Sequence, residues 1–349
     1  MLKKALRQAG AEIVEVNDHS LGLVRYLKLF SKSLRCRFDL MIVAFPSHTD
    51  MPLARFVCSL KRAPLIFDAL ISLYESEVFD RQNARPKSVA AKKSYWIDRV
   101  ACQLADTVLL ENHVNIGYFV ETFRSHESKF RRLGVGADDE ILRPYPEPSE
   151  NLTFTVFFVG TYIPLHGIEH IIRAAKILEE RREAIRFVIV GSGQTYQKIT
   201  AMASDLAVTN VRFEAPVRYE QLSQMMANAH LCLGVFGTSA KAGRAVPLKV
   251  LIALATRRPV LTGDTPAIRE VLSHGENIWL CPVGDATALA DSIAELKHRP
   301  DLRGKIAQQG YELFVNEFSI NAIEKEIVAI IQELCATRVT SILPPVIAS

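Results

Sequence analysis

VFGTSAKAGRAVPLKVLIALATRRPVLTGDTPAIREVL, residues 235–272, is the stretch on which the fold turns. An apolar strand ends at Val235, and a loop of small and basic residues follows over 237–244. A helix begins near Pro247, where the missing N–H of proline costs no hydrogen bond. It stops at Thr256-Arg257-Arg258, and a second strand runs over 259–262. Strand, basic loop and helix in this order make an anion site, because free N–H groups and the positive helix end point above the loop. Lys241, Arg244 and Lys249 cluster around the helix start, where cations can pair with a diphosphate. The same charges also suit a plain solvated loop. At the next helix start Asp264 or Thr265 reads as the N-cap. Glu270, further along, reads as either a dipole partner or a ligand.

Outward from this stretch, the second half of the chain repeats strand and helix. Strands are expected at 154–160, 187–190, 211–214, 231–235, 259–262 and 277–281, with helices between them and a last amphipathic helix over 320–334. The first half does the same less cleanly. Its strands are expected at 12–16, 40–44, 64–67, 107–111 and 130–135. Alternation at these lengths predicts α/β architecture with parallel, doubly wound sheets flanked by helices. The three prolines of PYPEPSEN, 144–151, predict a stiff linker. The resulting division is a first domain over 1–145, a second over 152–334 and an irregular tail over 335–349. An α/β domain usually opens with a strand and a glycine-rich turn. Here the chain starts on the helical MLKKALRQAG, so the first strand of the first domain is expected to be missing.

Bulk composition excludes several classes. With 349 residues, 49% hydrophobic and 23% charged, the chain is an ordinary globular one of about two domains. A net charge of +4 is too small to imply nucleic acid. Residues 1–67 nevertheless hold eleven Lys/Arg against five Asp/Glu, which suits an anionic membrane surface or simply a solvated helix face. The six cysteines are scattered, with no C-x-x-C pair, which argues for a reducing compartment and against zinc. No run reaches about 18 apolar residues, so no membrane span is expected. A cytoplasmic protein follows, peripheral at most at the inner face of a plasma membrane.

Ligands of open parallel sheets bind beyond the C-terminal strand ends. The loops there are countable. Gly160-Thr-Tyr-Ile-Pro-Leu-His-Gly167 and Gly191-Ser-Gly193 each follow a strand and precede a helix, where glycine lets backbone approach a phosphate. A plain strand–helix turn would look the same. In the first half, Asp68 ends an apolar strand, a position suited to a general base. His48, in the loop after a neighbouring strand, is a second candidate. Either could equally cap a helix.

VGTYIPLHGIEHIIRAAKIL, FVIVGSGQ, VRFEAPVRYEQLSQMMANAHLCLGVFG and PLKVLIALATRRPVLTGDTPAIREVL, in this order, resemble the C-terminal domain of glycosyltransferase family 4. DLRGKIAQQGYELFVNEFS resembles its terminal helices. FDLMIVAFPSH, PLIFDALISLYES, WIDRVACQLADTVLLEN and LGVGADDEILRP resemble its N-terminal domain. The likeness covers about residues 1–334. It implies the GT-B fold, two facing Rossmann-like domains. It further implies retaining, metal-independent transfer of a sugar from a nucleotide-sugar in the cleft between them. Helix ends and cations would then stabilise the departing diphosphate.

The resemblance implies a donor site lined by Gly160, Thr161, His166, Gly167, Gly191, Gly193, Lys241, Arg244, Lys249 and Glu270, with Asp68 or His48 toward the acceptor. It implies no cofactor beyond a UDP- or GDP-linked sugar as co-substrate. The acceptor would be a glycan or a lipid-linked one, in cell-surface polysaccharide synthesis. Three positions depart from the pattern. The two glutamates common in the family are Arg244 and Ile252 here, and an isoleucine cannot accept hydrogen bonds from ribose hydroxyls. The basic pair expected in the first turn is Thr161 and His166. The N-terminal glycine-rich loop is missing together with its strand. These departures leave an alternative, a catalytically impaired relative acting as a binding or partner subunit.

Overall fold

The computed structural model describes residues 1–81, 83–149 and 153–342. The chain divides into two compact units. One comprises Met1–Val78, Gln82–Gly134 and the chain from Ile323 onward, and the other Phe79–Arg81 and Val135–Ala322.

The first unit contains α1 (Leu2–Gln8), α2 (Gly22–Arg35), β1 (Met41–Ala44), α3 (Met51–Lys61), β2 (Leu65–Asp68), the single turn α4 (Leu73–Glu75), α5 (Val89–Leu104), β3 (Thr107–Leu110), α6 (His113–Phe123) and β4 (Phe130–Arg132). All pairings are parallel, in the order β1-β2-β3-β4. Strand side chains alternate between faces. Leu65, Phe67 and Val108 meet Met51 and Ala54 of α3, Ala101 of α5, and Phe119 of α6. Strands that advance in one direction with right-handed crossovers put every crossover helix on one face. The other face, Ile66 and Leu109, must be covered from elsewhere. Ala5 of α1 and Ile323, Ile327 and Ile330 near the chain's end cover it.

The strand expected over 12–16 does not form. These residues are irregular and mostly exposed, and the sheet edge at β1 has no ladder to them. Extended backbone holds in a sheet only when its N–H and C=O groups find a partner strand.

The second unit contains β5 (Phe154–Val159), α7 (Ile168–Glu180), β6 (Ile185–Val190), α8 (Tyr196–Asp205), β7 (Val211–Glu214), α9 (Tyr219–Ala227), β8 (Leu231–Leu233), α10 (Leu248–Ala255), β9 (Val260–Gly263), α11 (Pro266–Val271), β10 (Trp279–Cys281), α12 (Ala286–His298) and α13 (Pro300–Glu317). Its parallel sheet has the order β10-β9-β8-β5-β6-β7. From β5 the chain winds one way to β7, then crosses back and winds the other way from β8. The switch point therefore lies between β5 and β8, where a crevice opens beyond the strand ends. Core clusters built on Phe158, Ile171 and Leu289 on one side and Phe157, Val250 and Phe314 on the other bury both faces. α12 is capped by Asp285, which accepts from Thr287 and Ala288 N–H.

The last helix, α14 (Ile320–Ile342), runs past the end expected at 334, and from Ile323 it counts with the first unit. The irregular tail expected from 335 is thus helical through Ile342, and 343–349 lie outside the described residues. The boundary read at 145 falls instead between Gly134 and Val135. The described part of the linker is held down. Tyr145 N–H donates to Thr256 O at 3.4 Å, and the buried Arg258 donates to Pro146 O at 2.6 Å. No helix among the described residues is long and apolar enough to cross a membrane.

Candidate functional site

The loops after β5, β6 and β8 are tied together at the switch point. Gly160 N–H donates to Val190 O, Tyr162 N–H to Ser192 O, and Phe236 N–H to His166 O, at 3.0, 2.9 and 3.1 Å. Glycines make this closeness possible. A Cβ at Gly191, whose φ is +143°, would lie 2.0 Å from Gly160 O, and one at Gly167 would lie 2.5 Å from Gly237 N. Gly193 is similarly crowded by Tyr162 backbone and the Thr161 methyl. Gly160, Gly167, Gly191 and Gly193 all sit where these loops pack on one another.

Lys249, in the first turn of α10, sends its ammonium into this cluster. Nζ would lie 2.7 Å from a Cβ at Gly160, and it stands 4.3 Å from the centre of the Phe158 ring. It is buried and has no hydrogen-bond partner among the described residues. Burial drives its pKa well below the ordinary lysine value. His166 is its neighbour, with ring atoms within 3.1 Å of the same Gly160 Cβ position. Burial first, then the Lys249 charge, pushes His166 down to about 3. Its Nδ1 bonds to Thr161 O. A carbonyl only accepts, so Nδ1 carries the proton and Nε2 is left as an acceptor.

The other cations occupy different settings. Lys241 Nζ lies 2.9 Å from Asp80, one of the three residues 79–81 that group with this unit, so it already has a carboxylate. Arg244 ends a short turn, Ala242–Arg244, and burial lowers its pKa. Thr265 caps α11, its hydroxyl accepting from Ile268 N–H. Asp264 pairs with Arg269, and Glu270 is exposed on α11. Ile252 is buried in the core cluster around α10, with no carboxylate in its place.

In the first unit, Asp68 ends β2 as expected. Its carboxylate accepts no hydrogen bond among the described residues, and burial pushes its pKa up to about 6 against a smaller opposing pull from the Met1 amino group. His48 requires a correction. Its side chain is fully buried, edge-on to Phe67, with Nε2 3.2 Å from Ile71 O and 3.7 Å from Asp98. It props the loop after β2 and has no exposed surface with which to meet an acceptor. Asp98, from α5, organises that loop by accepting from Ser72 Oγ and from the N–H groups of Leu73 and Tyr74. Sequence reasoning assigned no role to Asp98, Asp80 or Phe158. Asp98 alone left a signal, as an acid on the apolar face of a helix.

The family described as Glycosyl transferases group 1 matches residues 144–313. The phosphatidyl-myo-inositol mannosyltransferase of Mycobacterium leprae is 27% identical over 58% of this chain and 53% of its own length. The capsular polysaccharide biosynthesis glycosyltransferase CapM of Staphylococcus aureus is 23% identical over 67% of this chain and 63% of its own. The first curated relatives are matched over only 36% to 53% of their length. Among solved structures, Anabaena HepE in complex with UDP-glucose superposes with a TM-score of 0.72 at 18% identity, over 95% of this chain and 88% of that one. Residues 144–313 thus match the group 1 glycosyl transferases, and the chain has the GT-B fold.

Proposed function

We propose that this protein transfers a sugar, with retention, from a nucleotide-sugar to a glycan or lipid-linked acceptor in surface-polysaccharide synthesis. The observation that carries the reading is Lys249. A buried ammonium without a partner, at the topological switch of a parallel sheet and at the start of a helix, is an anion site awaiting its anion. A donor diphosphate would restore the charge that burial disfavours, with no metal or other cofactor needed. The N–H groups around Gly160 and Gly191 would add donors, and His166 Nε2 would accept from a sugar hydroxyl. Asp68, without a hydrogen bond and with a pKa raised by burial to about 6, is the group we assign toward the acceptor. The similar proteins bear on this reading through their names, which speak of mannosyl transfer, capsule synthesis and UDP-glucose.

Calorimetry with UDP, GDP and their sugar conjugates tests the proposal. One series should bind, and Lys249→Ala and Arg244→Ala should each weaken it by at least about tenfold. Unchanged affinity in both variants would remove the diphosphate assignment. Ile252 favours a second reading, a relative that binds without turning over. It predicts nucleotide binding with no sugar released or transferred in a product assay.

A further inference from the structure

The second unit's candidate site already holds an anion of the protein's own. Phe79–Arg81 interrupt the first unit in sequence but count with the second. Asp80 is 4% exposed, and its Oδ2 accepts from Lys241 Nζ at 2.9 Å. The next residue is tied down as well, with Arg81 O accepting from Gln194 Nε2 at 3.3 Å. Residues 79–81 thus touch two of the loops that build the site, those after β6 and β8. Lys241 belongs to that site by its field as well as by its loop. After burial and Lys249, its charge helps to hold His166 neutral.

Two observations set the Asp80–Lys241 pair apart from a structural one. The other carboxylate oxygen of Asp80, Oδ1, is buried and accepts no hydrogen bond among the described residues. A carboxylate that serves only the fold has both oxygens satisfied, because a buried oxygen left bare carries its full desolvation cost. The loop that carries Lys241, moreover, is shaped by its own bonds. Ser239 Oγ accepts from Ala242 N–H at 3.2 Å, and Lys241 O from Arg244 N–H at 3.0 Å. The backbone of Lys241 therefore does not depend on Asp80 for its place.

We propose that Asp80 is an internal competitor of the donor: its carboxylate occupies Lys241 until a nucleotide diphosphate displaces it, and residues 79–81 act as a strap that the nucleotide releases. The proposal rests on the donor-site reading above. Lys241 exchanges one oxyanion for another, and the freed carboxylate passes to water, where its bare oxygen is hydrated. The diphosphate wins the exchange because it carries more than one negative charge and meets Lys249 as well as Lys241.

The test is calorimetry on the whole chain with UDP, GDP and their sugar conjugates, wild type against Asp80→Asn. A strap closed for more than about nine-tenths of the time lowers apparent affinity about tenfold, so Asp80→Asn should bind nucleotide at least about tenfold tighter. In a Lys241→Met background the same substitution should change affinity by less than about threefold, because the competition runs through Lys241. A second measurement needs no variant. Trypsin cleaves after arginine, and mass spectrometry follows the bond after Arg81. Saturating nucleotide should speed that cut by at least about threefold, since release of Asp80 frees its neighbour. The proposal is overturned if Asp80→Asn binds nucleotide no tighter than the wild type, and weaker binding would make Asp80 a positioning residue for Lys241. It is equally overturned if nucleotide leaves the cut after Arg81 unchanged or slows it. In both cases a wild type that binds nucleotide keeps the donor-site reading and loses the strap alone. Binding by neither protein removes the donor-site reading and the strap with it.

Discussion

At the scale of the residue, the second unit's candidate site is a set of groups held in disfavoured states. His166 is kept neutral by burial and by Lys249, with its pKa near 3 against an ordinary 6.5. Between those values the unfolded chain binds a proton that the folded chain refuses, so stability falls as pH drops below 6.5. At pH 5 the deficit from this one group is about 2 kcal/mol. His166→Gln lacks it, so urea unfolding at pH 7.5 and pH 5 should show the wild type losing about that much more than the variant. Equal losses would mean that His166 titrates normally. Asp68 works in the opposite sense. Its pKa is raised from 3.8 to about 6, so the folded state holds the extra proton and stability falls as pH rises through that window. Above it the ionised carboxylate remains a burden, and Asp68→Asn should be more stable at pH 7 by up to about 3 kcal/mol. A gain in stability with a loss of transfer would mark Asp68 as kept for function. A loss of stability would give it a structural role instead.

At the scale of the element, the site depends on three loops meeting closer than side chains allow. Gly191 is the tightest point, with Gly160 O where a Cβ would go and a φ that other residues rarely adopt. Gly191→Ala must move the loop after β5, which carries Thr161 and His166. We expect a loss of at least about 2 kcal/mol in denaturant unfolding and of nucleotide affinity in calorimetry. Gly243→Ala, in the neighbouring turn, meets nothing within 4 Å and should change stability by less than about 0.5 kcal/mol. If the two behave alike, loop closeness is not what builds the site. The glycines, the strand–loop–helix order and the cations around α10 were all legible in the sequence, because turns and helix starts are written in local residue types. The isolation of Lys249 was not legible, nor was the pairing of Lys241 with Asp80. Partners distant in sequence decide both. His48 misled for the same reason. A loop position reads as exposed, and only the packing of Phe67 and Asp98 around it shows that it is not.

At the scale of the whole molecule, alternation of strands and helices was enough to read a parallel α/β chain. It could not say which sheet the last helix covers. The apolar spacing of α14 marks a buried face, but nothing in it names the other partner. Direction of winding supplies the reason: β1 to β4 advance one way, so their crossovers leave one face bare, and α14 returns to it with Ile323, Ile327 and Ile330. Two kinds of contact hold it there, and their magnitudes differ. Arg131 and Glu333 form an exposed pair, which at a surface is worth under about 1 kcal/mol. Ile327 is fully buried against Ile66 and Leu109. Ile327→Ala removes that packing and leaves a cavity, at a cost of about 2–5 kcal/mol. Glu333→Ala should cost a tenth to a half of that. Guanidinium unfolding of both variants, at matched ionic strength, gives the comparison. If Glu333→Ala proves the more damaging, ion pairs rather than apolar burial seat α14 on the first unit, and the account of that bare face fails. The expected order, with Ile327 dominant, would mean that this unit needs its distant C-terminal helix to close its core.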